Sequence, residues 1–545
     1  MTDSRAEQII QEWGRLETDA SNTMNLYQSV ADHFFLRENQ ITKLTTPGED
    51  KSLPVLDPTG MLDLQDMAAG MSAVIFPAGQ YFCKLSPTEP SLNDNYMAVS
   101  YLNRFTEVLH LELFKSECNF LLEFNEFLMS FIGFGTANIY SEWNKDEMML
   151  NFKDWDISNF RFTVDGSGRP NGCIIKWQYT AEQAVGMWGD KVGENVYKAA
   201  QNVNERQNKF TFYFCCKKRN SRLAQYSDNT NYPYSKEVIN ATDKVTVETG
   251  GYESMPYHIA RWLTSSQEIW GRGQGCFALS ADKELQRQKK ALLLNADLTN
   301  NPPRQTHYSF EGTPRVYPGA NNVVQEMDTV RALDRAFQGQ FPITKDTLQM
   351  QQEIIHRCFY VKVFAPLDNL PGDRRTTVEI IERVKAGYMR LILPTMRLYN
   401  ECLTPLVERC VKLLLRNGKM PPPPPELRGF KVEHLGRLAL ALQEQQADAL
   451  QRFSQFALTM EQAVPNFFRD SINVDRAARR MATTFGVNES DLNTPEERDI
   501  IRQDRIQAEQ AQMAMMAAET AGKTYKDASG APEAGSPAEA LMGVA

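Results

Sequence analysis

Two segments of helical pattern and matched length, Ala278 to Leu298 and Thr344 to Phe364, bracket an irregular stretch of roughly 40 residues. Structureless connections beyond ~12–15 residues are uncommon inside a compact domain, so this arrangement constrains the fold more than any other feature. At 1.5 Å per residue the first helix is about 30 Å long, and Asn301-Pro302-Pro303 stops it. Apolar positions are thin: Leu279, Leu285 and Leu292 on the first helix, Ile354, Phe359 and Val361 on the second. Against them stand Lys283, Glu284, Arg287, Lys289, Lys290, Lys345, Asp346, Gln349, Gln351, Gln352 and Glu353. A helix that cannot bury a wide face internally must meet water or another subunit. An ordinary pair of surface helices with an irregular loop fits this composition equally well.

After the second helix comes a loop, Ala365 to Arg375, marked by Pro366, Pro371 and Gly372. Thr376-Thr377-Val378-Glu379 is a capping box. It predicts a long helix to about Asn417, bent at Pro394 and Pro405 and closed by Gly418. Five prolines, Pro421 to Pro425, form a stiff linker. Helices are expected at about 434–460 and 474–485. From about Gln503 the sequence is rich in Ala, Gln, Met and Glu, and its Gly/Ala/Ser/Pro low-complexity end reads as disordered.

The first ~140 residues read as mainly helical. Ile9, Ile10, Trp13 and Leu16 recur at helical spacing, and Asp57-Pro58-Thr59-Gly60 introduces a second helix faced by Met61, Leu64, Met67, Ala68, Met71 and Ile75. One long aromatic helix is expected from about Met97 to Phe131. Phe160–Val164, the turn Asp165–Gly168, and Cys173–Trp177 read as strand, turn, strand. A short helix (Thr180 to Trp188) and strand-like pieces at 210–216 and 244–248 complete an α+β middle.

The 545 residues carry 59 Lys+Arg against 68 Asp+Glu, a formal charge of −9, with 42% hydrophobic residues. That excludes a disordered chain and argues against a generally basic nucleic-acid coat. No apolar run reaches the ~18–20 residues that span a bilayer. The start, Met1-Thr2-Asp3-Ser4-Arg5, lacks a signal-peptide layout, so folding in a cytoplasm and no membrane partner are expected. The nine cysteines form no C-x-x-C pair and read as buried thiols. Adjacent Cys215 and Cys216 should point to opposite faces of a strand.

No catalytic constellation is legible, and neither a metal nor a cofactor is expected. Gly271-Arg272-Gly273-Gln274-Gly275 lacks the third fingerprint glycine (Cys276 stands there) and reads as a flexible lead-in to a helix. Gly522-Lys523-Thr524 lacks the upstream glycine of a phosphate loop, with Ala517 in its place. The histidines 33, 110, 258, 307, 356 and 434 are isolated, which gives metal ligation little support.

Several stretches, in order, resemble the portal (head–tail connector) proteins of short-tailed bacteriophages. These are Asp57-x-Thr59-Gly60 with Leu64-x-x-Met67-Ala68-Ala69-Gly70-Met71, then Ile132-Gly133-x-Gly135-Thr136-Ala137, then Arg261-Trp262 with Trp270-Gly271-Arg272-Gly273. Thr376-Thr377-Val378-Glu379-x-x-x-Arg383 and Tyr399-Asn400-Glu401-x-Leu403-x-Pro405-Leu406-Val407 follow. The likeness covers roughly residues 1–500.

The resemblance implies a mainly α subunit with an α+β wing, two-helix stem, clip, channel loop and helical crown. By that analogy 1–275 and 377–420 form the wing, 276–298 and 343–364 the stem helices, and 299–342 the clip. Loop 365–376 is then the channel loop, 421–500 the crown, and 501–545 a partly disordered tail. It further implies a ring of twelve copies at one capsid vertex, a conduit for double-stranded DNA. Its partners would be the terminase packaging motor, tail adaptor proteins, and the major capsid and scaffolding proteins. The protein would then reside in the virion, and in the host cytoplasm during assembly.

Candidate DNA-channel residues are Arg374, Arg375, Asp373 and Asn369 on the loop and Lys289 and Lys290 on the first helix. Phe310, Arg315 and Tyr317 are candidates for motor or tail docking. The alternatives are a tail-adaptor virion protein without a DNA-gating role, and a nucleic-acid-processing enzyme. The enzyme would need carboxylates around metals, and none are legible.

Overall fold

A computed structural model describes residues 3–35, 40–43, 55–77, 80–89, 91–92, 95–219, 231–300, 317, 341–364, 390–435 and 495–529, with isolated positions 453, 455, 456, 475, 478 and 493. The chain divides into two units, Met1–Gln443 and Glu444–Ala545.

The first unit opens with α1 (Ser4–Phe34), capped by the Asp3 carboxylate, which accepts from the Arg5 amide. Its buried positions step by three and four along one stripe, from Ala6, Ile9 and Trp13 to Tyr27, Ala31 and Phe34. Helix α2 (Thr59–Ile75) and strand β1 (Cys83–Pro87) follow. The single aromatic helix expected from Met97 to Phe131 is instead two, α3 (Tyr96–Leu113) and α4 (Phe120–Gly133). A 3-10 turn, Ser116–Cys118, and Asn119 at φ 56° separate them. Asn tolerates the left-handed region better than most residues. The turn lets Phe114 and Phe120 approach Phe76 edge-on from separate helices, with Phe82 and Phe124 completing the cluster. Helical periodicity continued through Phe114 could not have placed both rings there.

Next come β2 (Thr136–Asn144), β3 (Met149–Trp155), β4 (Phe160–Val164) and β5 (Pro170–Thr180). The expected hairpin is β4–β5. In its turn Asp165 Oδ1 accepts the amides of Ser167 and Arg169, and Gly168 takes φ 78°. Helices α5 (Ala181–Trp188), opened by a Thr180/Gln183 capping box, and α6 (Glu194–Gln201) precede β6 (Lys209–Lys218), β7 (Tyr234–Asn240), β8 (Val245–Tyr252) and β9 (Tyr257–Arg261). The sheets are antiparallel, one ordered β3-β2-β9 and the other a meander, β4-β5-β6-β7-β8.

On β6 the pleat separates neighbours as expected. Cys215 packs with Trp13, Ile174 and Ile239 beneath α1, while Cys216 joins the main core. Phe212 meets Ala181, Ala184 and Val196 of α5 and α6. All nine cysteines are free.

Helix α7 (Gln274–Asn300) is followed by α8 (Phe341–Cys358) and the short α9 (Val361–Phe364). The second expected helix is therefore broken, at Tyr360 with φ 54°. The described end of the long helix is α10 (Ile392–Leu398), a π turn at Tyr399–Leu403, and α11 (Thr404–Arg416). Pro405 explains the π turn: a proline ring clashes with the carbonyl four residues back and offers no N–H. The wider turn instead has the Thr404 amide bonding the Tyr399 carbonyl. Gly418, at φ 73°, ends α11 as expected.

The prolines lead into β10 (Phe430–His434), which pairs antiparallel with β1. His434 was expected to begin a helix and instead ends a strand. The Tyr101 hydroxyl bonds the Pro421 carbonyl, and the Leu435 amide bonds the Phe82 carbonyl. This strap therefore returns residues 421–435 to the N-terminal body.

In the second unit, α12 (Pro495–Ser529) takes up the first part of the tail read as partly disordered, and 530–545 lie outside the described residues. Its described side chains from Ile500 to Ala517 are exposed, and Arg498 and Arg502 pair with Asp475.

Candidate functional site

Two of the motifs singled out in the sequence are brought into direct backbone contact. Gly135 (φ 95°) faces the Gly271–Gly275 run. A Cβ on Gly135 would lie 2.1 Å from the Gly273 nitrogen, one on Gly271 2.0 Å from the Gly135 oxygen, and one on Gly273 2.3 Å from the Ile132 oxygen. The Gly273 amide bonds the Phe134 carbonyl at 3.0 Å, and the Trp262 amide bonds the Gly135 carbonyl at 2.8 Å. The expectation of a flexible lead-in is therefore wrong. The glycines are there because two backbones pass at a separation that leaves no volume for a side chain. This clamp fixes where α7 departs.

Along α7, Ala278, Leu279, Ala281 and Leu285 are buried, α8 adds Leu348 and Ile355, and Phe359 follows just after it. Phe34 of α1 meets Phe359 edge-on. Interleaved with these apolar residues lies a polar seam. Asp282, 1% exposed, bonds His33 Nδ1 at 2.8 Å. The Gln286 Oε1 accepts the amides of Leu56 and Asp57 at 2.8 and 3.0 Å, and its Nε2 donates to the Asp57 carbonyl at 2.8 Å. Asp57 in turn accepts from the Thr59 amide and hydroxyl and from Gln352 on α8. His356 Nδ1 reaches Asp63 on α2 at 2.7 Å.

Burial pushes the Asp57 carboxyl up, but the Thr59 bonds, Lys289 and Gln352 more than reverse it, holding it below the ordinary carboxylate range. For Asp63 burial wins over His356, and its carboxyl is raised.

Lys289, expected to guide DNA, lies 3.6 Å from Asp57 Oδ2 in this seam. Lys290 is exposed. Tyr317 is 53% exposed. Asn369, Asp373, Arg374, Arg375, Phe310 and Arg315 lie outside the described residues, as do the capping box and most of the segment read as crown. The seam residues Asp282 and Gln286 were legible in principle. They share the helical face of Leu279 and Leu285 at spacings of three and four, where a polar side chain needs a buried partner. Their partners, more than two hundred positions away in the chain, were not.

A second polar joint lies at the π turn. Glu401 accepts from the Arg261 amide, Nε and NH2, the last at 2.6 Å. Arg261 also donates to the carbonyls of Gly168 and Ile269. Tyr399 stacks on His434 at 4.2 Å, and Thr404 bonds His434 Nε2 at 2.8 Å. The clamp, the seam and this joint together anchor the paired helices and the end of the long helix to one body.

Large apolar side chains on the paired helices remain uncovered: Phe277 50%, Leu293 46%, Leu294 52% and Met350 62% exposed. Among the described residues no group of His, Cys, Asp or Glu has metal-site geometry, and no helix is long and apolar enough to cross a membrane.

A family model described as bacteriophage head to tail connecting protein matches residues 6–492. A curated relative named "Probable portal protein", of Bordetella phage BPP-1, is 22% identical over 528 residues, 94% of each chain. Another, named "Portal protein", of Salmonella phage epsilon15, is 22% identical over 543 residues, 96% of each chain.

Proposed function

The chain belongs to the bacteriophage head to tail connecting protein family, and on that premise we propose that it works as the portal of a short-tailed phage, a ring through which duplex DNA passes. The family is structural rather than enzymatic, and its portal members are virion components that form an oligomeric ring at a capsid vertex and dock other phage proteins. The proposal adds that the ring has twelve subunits and that 276–298 and 343–364 form its stem. It also assigns 299–342 to docking of the terminase motor and later the tail adaptors, and 365–376 to the channel. The major capsid and scaffolding proteins would meet the ring at the vertex.

The observation that carries this reading is the pair α7/α8. Their inner faces are tied to the body by clamp and seam, and their outer faces leave Phe277, Leu293, Leu294 and Met350 exposed. Neighbouring copies would cover such surface. The charge supports transit. Each phosphate neutralised strengthens binding through counterion release, and −9 per chain, repeated around a ring, disfavours sticking. Isolated cations, Arg374 and Arg375 beside Asp373, would then act as brief guides.

Electron micrographs of the purified protein test the reading. Rings with an open centre are expected, and a monomer or a solid particle overturns it. In assembled rings, Arg374→Ala with Arg375→Ala should lower DNA retention, and deletion of 310–316 should abolish motor binding while rings persist.

A further inference from the structure

We propose that a cavity beside the break between α8 and α9 is a seat for the backbone phosphates of duplex DNA, one per subunit, a site that rests on the conduit reading above. The cavity holds about 430 Å³ and is lined by His356, Arg357, Cys358, Tyr360, Lys362 and Arg390, among others. Among its described lining residues four side chains can carry positive charge and none is a carboxylate. Two are already engaged: His356 bonds Asp63, and Lys362 bonds Glu353 at 2.9 Å. Arg357 and Arg390 are exposed and present guanidinium forks, the group best matched to a phosphate's two oxygens.

The second observation is independent of charge. The sequence of 344–364 has helical pattern throughout, yet Tyr360 stands at φ 54°. A bulky residue there is strained, and such strain clusters at ligand-binding and switch positions. The break is what turns the helix end into a wall of the cavity. In the chain, Phe364 and Arg390 flank the segment 365–389, so the cavity lies at the root of the proposed channel loop. A single pocket offering two exposed arginines gives weak, salt-sensitive contact, which suits a polymer in transit.

Cys358 supplies the test. Of the nine cysteines only Cys276 and Cys358 are half-buried, the rest being buried, and Cys358 lines the cavity while Cys276 is absent from its lining. The full-length protein is alkylated with iodoacetamide in low salt, alone, with a short random-sequence duplex, or with inorganic phosphate at equal phosphate concentration. The rates at both cysteines are read by mass spectrometry. The duplex is expected to slow Cys358 several-fold and leave Cys276 unchanged. Arg357→Ala with Arg390→Ala should remove the protection, Arg357→Lys with Arg390→Lys should keep part of it, and raising salt should erase it. If the duplex binds and Cys358 reacts as before, the site is wrong. If inorganic phosphate protects as well as the duplex, the cavity is a small-anion site and the duplex assignment fails. Micrographs of the same sample separate these failures from failure of the conduit reading, since open rings leave the latter standing.

Discussion

In the N-terminal body His110 and His258 are buried and His434 half-buried, whereas at the paired-helix seam His33 and His356 each face an aspartate. The imidazole of His110 donates from Nδ1 to the Thr106 carbonyl and accepts at Nε2 from the Phe82 amide. Both ring nitrogens are thus satisfied only when the ring is neutral. Burial lowers its pKa to about 4, that of His258 to about 3, where the Arg409 charge adds to the effect, and that of His434 to about 4. At the seam the same side chain bonds a carboxylate, at 2.8 Å for His33 and 2.7 Å for His356. The body is held mainly by apolar burial, and the charges it encloses, such as Arg261 with Glu401, are paired. The seam is held by directional polar pairs that set the angle of two helices with little greasy surface of their own.

The largest expected effects break the body. Gly135→Ala places a side chain on the Gly273 nitrogen at a backbone angle that disfavours one, and soluble folded protein should be lost, measured by yield and circular dichroism. Glu401→Gln leaves the Arg261 guanidinium, 7% exposed, without its anion. Breaking such a buried pair costs about 3–5 kcal/mol, read as a lower denaturant midpoint.

Acid should act on the body by a different route. The folded pKa values of His110, His258 and His434 lie below the unfolded value of 6.5. Their stability contribution is whole above 6.5 and falls as pH drops toward 4. Linkage gives about 1.2 kcal/mol per histidine between pH 7 and 5.5, roughly 4 kcal/mol for three. Denaturant melts at the two pH values check it, and no acid loss there contradicts neutral burial.

Smaller effects sharpen the seam. Gln286→Ala strips the partner from two backbone amides and should cost about 1–3 kcal/mol. Hydrogen exchange should quicken at 55–59 first, because those amides lose their acceptor. Lys289→Ala should cost under about 1 kcal/mol, since its pair with Asp57 is long and partly exposed. A larger loss would make that pair central to the seam. Asp57, held below the ordinary carboxylate range, contributes stability that is present at neutral pH and lost as pH falls through its folded value, so Asp57→Asn should flatten the acid limb below pH 4.

Local chemistry was legible where it acts within a few residues. The β4–β5 hairpin follows from Asp165 to Gly168, the end of α11 from Gly418, and the opposite placement of Cys215 and Cys216 from the pleat. The thin stripe on α7 was legible too. The bend at Pro405 was legible, though not its form as a π turn. The break at Asn119 and the kink at Tyr360 were not, because each sacrifices local regularity for a contact elsewhere: Phe114 and Phe120 on Phe76, Tyr360 on a cavity wall. Strand β10 was hidden because its partner β1 lies about 350 positions earlier.

By itself the sequence indicated most of the long helices and several strands and, through ordered motifs, the family, since propensity, turn chemistry and periodicity are written in neighbouring residues. Only the tertiary structure decided that Gly135, Gly271 and Gly273 form a clamp between distant backbones, that Lys289 answers Asp57, and that the prolines carry the chain back to β1. Those outcomes depend on which surfaces meet, and side-chain volume and hydrogen-bond direction select among meetings that the linear order leaves equally open.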